Sequence, residues 1–202
     1  MTKIYDILRR TACLMLAVLL CGCTASTAEQ GAAGQSSAGA PEALPEGANA
    51  LLEQMTLNQK VGQLFVVRPD ALDPGLSQDE IDDAESEGVT HVTEEMARTL
   101  ERIPVGGVVL FGKNLQSPEQ LPAFIEELQA AGGGALFMAV DEEGGLVARL
   151  ANHPAFRLPQ YASAADVGAE GEEAALEMGS TIGGYLKEYG FNLNFAPVAD
   201  VY

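Results

Sequence analysis

The densest group of residues able to do chemistry is Asp141-Glu142-Glu143-Gly144-Gly145, with Arg149 shortly downstream. Adjacent carboxylates suit acid–base work, metal binding or the gripping of hydroxyl groups, and in a chain with 29 acids they also suit a plain solvated turn. Two glycines after the acids permit a tight turn and a close approach of backbone to ligand. Arg149 can then return to the same mouth as a counter-charge, and a carboxylate beside a guanidinium is well matched to sugar hydroxyls. A metal fits less well, because neighbouring residues on an extended chain point to alternate sides and do not close one coordination shell. We expect no metal and no cofactor. Lys113-Asn114 and Asp200 are further polar positions at the ends of apolar runs, with Lys113 and Asn114 divided between loop scaffolding and pocket wall. His91, ahead of a helix, and His153, in a loop before Pro154, are read as surface residues.

These residues sit where they do because apolar runs of strand length alternate with amphipathic segments. Ala50 to Gln63 reads as a helix, followed by the strand Leu64-Phe65-Val66-Val67 and an acidic loop over residues 69–90. Thr93 caps a helix carrying Met96, Leu100 and Ile103, with Glu94 and Glu95 at its positive end and Pro104 as its stop. Val105 to Phe111 is a buried strand and Gly112-Lys113-Asn114 its exit loop. Ser117-Pro118-Glu119-Gln120 resembles a capping box for a helix bearing Leu121, Phe124, Ile125 and Leu128, though Pro122 shifts the expected start towards itself. Gly132-Gly133-Gly134 ends it, and Ala135 to Val140 is the strand that delivers Asp141. Glu172 to Tyr189 is a helix closed by Gly190, and Phe191 to Val198 is the fourth strand.

Strands that are apolar on both faces, separated by helices, imply an α/β fold with a covered parallel sheet. In such sheets ligands bind at the C-terminal ends of the strands, which selects Lys113-Asn114, Asp141 to Arg149, and Asp200. Neither a G-x-G-x-x-G after the first strand nor a G-x-x-x-x-G-K-[ST] is present, so the nucleotide-binding sheet loses to the (β/α)8 TIM barrel. About four βα units fit in this length, which makes the chain the first half of a barrel.

Composition narrows the rest. Eleven basic residues against 29 acidic ones give −18, which excludes nucleic acid as a partner. The three cysteines are Cys13, Cys21 and Cys23, so no disulfide framework or zinc ribbon exists beyond them. Residues 1–22 combine Lys3, Arg9 and Arg10 with a short apolar run, the pattern of an export signal. The run ends in Leu20-Cys21-Gly22-Cys23, which resembles the lipobox of bacterial lipoproteins and makes Cys23 the lipidated residue. Residues 23–49 are rich in Ala, Gly, Ser and Pro and read as a flexible tether before a folded part over residues 50–202. Membrane attachment is therefore expected through the lipid alone, outside the cytoplasm.

The motifs taken together resemble the N-terminal catalytic barrel of family 3 glycoside hydrolases, specifically the bacterial β-N-acetylhexosaminidase type. The resemblance rests on Met55-Thr56-Leu57-Asn58-Gln59-Lys60-Val61-Gly62-Gln63-Leu64, Gly106 to Phe111, Ala139 to Arg149 with Leu158-Pro159, and Gly190 to Val201. It implies removal of terminal β-linked N-acetylglucosamine from extracytoplasmic glycans by a retaining mechanism. It implies that Asp141 accepts hydrogen bonds from sugar hydroxyls, that Arg149 lines the same subsite and that Asp200 supports it. The family's late aspartate nucleophile and its histidine-bearing acid/base loop have no match here, so no catalytic residue is assigned and the 202-residue chain alone is expected to be inactive. A β-glucosidase-type member and a non-catalytic surface sugar-binding lipoprotein are the alternatives.

Overall fold

The computed structural model describes residues 46–199; the leader, Cys23, most of the tether and Asp200 lie outside the described residues. Its sheet consists of β1 (Val66–Val67), β2 (Gly107–Leu110), β3 (Phe137–Val140) and β6 (Leu193–Asn194). They are all parallel and adjacent in that order. Between β3 and β6 the chain adds an antiparallel hairpin, β4 (Glu142–Gly144) and β5 (Val147–Ala148). Successive strands are laid down in one direction without reversal. That is the winding of a barrel, whereas a doubly wound sheet reverses about its first strand.

The helices follow from their capping residues and apolar faces. Two helices, α1 (Glu46–Gln54) and α2 (Leu57–Gly62), stand where the spacing predicts one over residues 50–63, and the first begins at Glu46, ahead of Ala50. Thr56 is the reason for the break. Its backbone N–H donates to Gln59 Oε1 at 2.8 Å while its hydroxyl accepts from Gln59 N at 3.3 Å, a capping box that starts a new helix. The acidic stretch after β1 is also more ordered than a loop, with a 3-10 turn over Pro69–Leu72 and α3 (Gln78–Asp82), capped by Ser77.

Helix α4 (Glu94–Arg102) is capped by Thr93 as expected, and Met96 and Leu100 are buried. Helix α5 (Gln120–Ala131) buries Leu121, Phe124, Ile125 and Leu128, the stripe its periodicity predicts. It begins at Gln120 rather than Pro122. Ser117 Oγ accepts from Gln120 N at 3.1 Å, but the Gln120 side chain completes no box and instead donates to Thr90 O at 2.7 Å. After α6 (Ala164–Glu170), α7 (Glu172–Tyr189) runs uninterrupted to Gly190. Val108, Leu110, Met138 and Val140 from the two central strands are fully buried against these faces. Each such side chain contributes roughly 1.5–3 kcal/mol of burial.

The outer strands are shorter than their apolar runs. Leu64 and Phe65 precede β1 without pairing as strand, and Leu64 is 81% exposed. At β6 two side chains take over part of the pairing. Met138 N donates to Asn192 Oδ1 at 2.8 Å and Glu142 N to Asn194 Oδ1 at 3.0 Å, while the two amides return to Leu136 O and Glu142 O, each at 3.0 Å. Asparagines 192 and 194 thus clip β3 along its length and fix where it ends.

Candidate functional site

Strand β3 ends at Val140, and the next residue begins the candidate site. Arg149 N donates to Asp141 O at 3.3 Å, and Arg149 Nη2 lies 3.1 Å from Asp141 Oδ2. The hairpin between them makes this return possible. Gly144 and Gly145 hold φ of 89° and 63°, a region that side-chain-bearing residues avoid. A Cβ on Gly144 would also meet Met178 Cε at 2.7 Å. The ion pair is partly open, with side-chain exposures of 32% for Arg149 and 21% for Asp141. Arg149 Nε is buried and has no acceptor among the described residues. A partly exposed pair stabilises the fold little, so its main effect is to fix one carboxylate and one guanidinium side by side.

The middle acid is neither solvated nor part of the mouth. Glu142 is fully buried, and its carboxylate accepts from Leu150 N at 2.8 Å, Ala151 N at 2.9 Å and Tyr185 OH at 2.8 Å. It therefore anchors the two residues that follow Arg149 and ties them to α7. Burial first, then the hydrogen bond to Glu142, pushes the Tyr185 phenol well above its ordinary range, so the hydroxyl stays a donor. The solvated-turn reading of these acids fails at Glu142, because three donors converge on it.

The end of β2 supplies Phe111, whose ring has two guanidiniums near it. Arg68, the residue after β1, lies with its guanidinium carbon 5.2 Å from the ring centroid, and Arg149 lies at 5.4 Å. The ends of three adjacent strands thus meet on one phenyl ring. Arg68 is further held by Nη1 to Ile81 O at 2.7 Å and Nη2 to Asp82 Oδ1 at 3.4 Å.

Lys113 and Asn114 are scaffold, not pocket wall. Lys113 Nζ has Glu80 O, Ile81 O, Asp83 O and Ser86 Oγ within hydrogen-bond distance, at 2.9–3.1 Å, for its three N–H donors and lies 3.7 Å from Asp70 Oδ1. Asn114 is fully buried and donates to Asp70 Oδ2 at 2.9 Å and Val89 O at 3.0 Å. Asp70, also fully buried, closes the set by accepting from Val89 N at 3.1 Å. Together they lash residues 70–89 to the exit of β2. His153 Nδ1 accepts from Ala155 N at 3.3 Å and its ring meets Phe156 edge-on at 5.3 Å, while His91 is exposed.

Residues 56–202 match the model of the glycosyl hydrolase family 3 N terminal domain. The chain belongs to glycosyl hydrolase family 3. Among its relatives, the beta-hexosaminidase of Alkalilimnicola ehrlichii is 39% identical over 120 residues, covering 57% of this chain and 34% of that protein. The beta-hexosaminidase of Thiobacillus denitrificans is 35% identical over 116 residues, covering 55% and 32%. Of solved structures, the family 3 beta-N-acetylglucosaminidase of Paenibacillus sp. str. FPU-7 superposes with a TM-score of 0.52 at 31% identity, over 71% of this chain and 24% of that one. The beta-N-acetylhexosaminidase of Beutenbergia cavernae superposes with a TM-score of 0.53 at 32% identity, over 73% of this chain and 39% of that one. The chain spans about a third of the length of those two hexosaminidase sequences.

The sequence alone missed Arg68, Phe111 and the structural use of Glu142. Arg68 carried a signal, since it directly follows an apolar run and is one of only eight basic residues after Cys23. Phe111 carried none beyond being the last apolar residue of its run.

Proposed function

We propose that this family 3 protein is a β-N-acetylhexosaminidase that removes terminal β-linked N-acetylglucosamine from extracytoplasmic glycans with retention of configuration. The observation that carries the reading is the Asp141–Arg149 pair, held 3.1 Å apart at the end of β3 by a glycine hairpin. Asp141 accepts hydrogen bonds from sugar hydroxyls, and Arg149 donates to their oxygens. Relatives with beta-hexosaminidase names support the sugar class. A retaining glycosidase needs a nucleophile and a proton donor about 5–5.5 Å apart. Glu142 is taken up by three donors and Asp141 is placed here as a sugar ligand, so we assign neither of them a catalytic role. In this reading Asp200 supports the sugar pocket.

Calorimetric titration of the 202-residue protein with N-acetylglucosamine tests the binding role. Binding in the wild type and about tenfold or greater weakening in Asp141→Asn and Arg149→Met is expected, since a hydrogen bond to a charged group is worth roughly 1.5–3 kcal/mol. Equal affinity in all three proteins would overturn it. The same protein should release no nitrophenol from 4-nitrophenyl N-acetyl-β-glucosaminide, and release would show that the chain carries catalytic groups we do not assign. We further propose that Cys23 carries the lipid that holds the domain outside the cytoplasm, with no other membrane contact. No helix among the described residues is long and apolar enough to cross a membrane. Cys23→Ser should move the protein from the membrane to the soluble fraction, and continued sedimentation with membranes would contradict the anchor.

A further inference from the structure

Residues 24–202 hold only eight Lys and Arg, and three of them, Arg68, Lys113 and Arg149, converge on the exits of β1, β2 and β3. Each is matched by one aspartate: Arg68 by Asp82 at 3.4 Å, Lys113 by Asp70 at 3.7 Å and Arg149 by Asp141 at 3.1 Å. A strongly acidic chain has therefore gathered three cations near its strand exits, and each has an aspartate beside it. A site built for an anion leaves its cations in excess. A balanced set of charged donors and acceptors suits a neutral, polyhydroxylated ligand, which needs many directed hydrogen bonds and no net charge.

Within that set Arg68 has capacity to spare. A guanidinium carries five N–H donors. One goes to Ile81 O and one faces Asp82, which leaves the others without a protein acceptor among the described residues, on a side chain that is 38% exposed. Its position is nevertheless fixed. The Phe111 ring sits against it at 5.2 Å, and the carbonyl it binds, Ile81 O, also accepts from Lys113 Nζ at 3.1 Å. One carbonyl thus joins the lysine clamp to the arginine. A donor held this way loses little conformational freedom when a ligand arrives, which is the condition under which a hydrogen bond adds affinity.

We propose that Arg68 is a binding residue of the same sugar site, donating hydrogen bonds to hydroxyl or amide-carbonyl oxygens of the neutral ligand held by Asp141 and Arg149. Phe111 is the ring that both guanidiniums approach, and Lys113 is the positioning residue that keeps Arg68 against it. The inference rests on the sugar-binding reading and extends that site from the end of β3 to the end of β1.

The test is titration of the 202-residue protein with N-acetylglucosamine, followed by arginine Nε–H signals in 15N NMR, with Arg68→Gln and Arg68→Met to assign the Arg68 signal and measure affinity. The Arg68 and Arg149 signals are both expected to move with one dissociation constant, and the two variants to bind about tenfold more weakly. Glucuronic acid, an anionic probe of similar size, is expected to bind no better than the neutral sugar. If the Arg149 signal moves while Arg68 does not, the Arg68 inference falls and the sugar reading stands. If neither moves, the sugar reading itself falls. Tighter binding of the anionic probe would overturn the neutral-ligand assignment. Should the variants fail to fold, through-bond assignment of the wild-type arginine Nε–H signals from the backbone replaces them, and the shifts of the assigned Arg68 and Arg149 signals decide.

Discussion

At the scale of single residues, Glu142 is the clearest case of chemistry hidden inside a surface-looking motif. In Glu142→Gln one carboxylate oxygen becomes an amide nitrogen that faces either Leu150 N or the Ala151 N and Tyr185 OH pair. At least one buried donor then lacks an acceptor, and urea unfolding should show a loss of about 1–3 kcal/mol. Tyr185→Phe removes one of the three bonds and should cost about 1 kcal/mol. The phenol also gives a pH signature. Its folded pKa is raised above the ordinary value of 10.0, so its contribution is full below that value. It is lost as pH rises further and the unfolded chain ionises. Stability of the wild type should therefore fall above about pH 10, and fall less steeply in Tyr185→Phe. A parallel decline in both proteins would remove Tyr185 from the alkaline transition. The sequence showed that Asp141 and Arg149 could meet, because type and spacing carry that information. It did not show which acid of Asp141-Glu142-Glu143 turns inward, because the bend after β3 is set by Asn194 from a distant strand.

At the scale of elements, the lashing of residues 70–89 decides whether the acidic segment is a loop or a wall. Lys113→Met keeps the aliphatic stem but leaves Glu80 O, Ile81 O and Asp83 O without their shared donor and Asp70 without a cation. Removing one partner of a buried pair costs about 3–5 kcal/mol. Amide hydrogen exchange should accelerate across residues 78–89 while β2 and β3 stay protected, and unchanged exchange there would show that the segment holds itself. Composition suggested a plain acidic loop, because the ordering groups are one lysine and one asparagine far along the chain. Elements with local signals were legible: Thr93 and its acids for α4, the apolar stripe of α5, and Gly190 for the end of α7. Strand lengths were not: Phe65 O accepts from Gly107 N at 3.2 Å and Phe195 N donates to Val140 O at 3.0 Å, but the ladders go no further, and apolar character alone does not show where pairing stops.

At the scale of the whole molecule, the strand order β1-β2-β3-β6 puts Arg68, Phe111 and Asp141 on one edge in chain order. The chain carries a net charge of −18, while the three cations near that edge are each paired with an aspartate. Sugar affinity should therefore depend little on salt between about 50 and 200 mM, in contrast to the steep dependence of charge-driven binding. A steep salt dependence would show unbalanced charge at the site. The central claim is that neutral sugar binds where Asp141, Arg149 and Phe111 converge, and a crystal structure of the 202-residue protein with N-acetylglucosamine tests it most directly. The account predicts sugar oxygens within hydrogen-bond distance of Asp141 Oδ and Arg149. Sugar in the cleft of about 320 Å3 lined by Tyr161, Glu170 and Glu177, with the strand ends unoccupied, would contradict it.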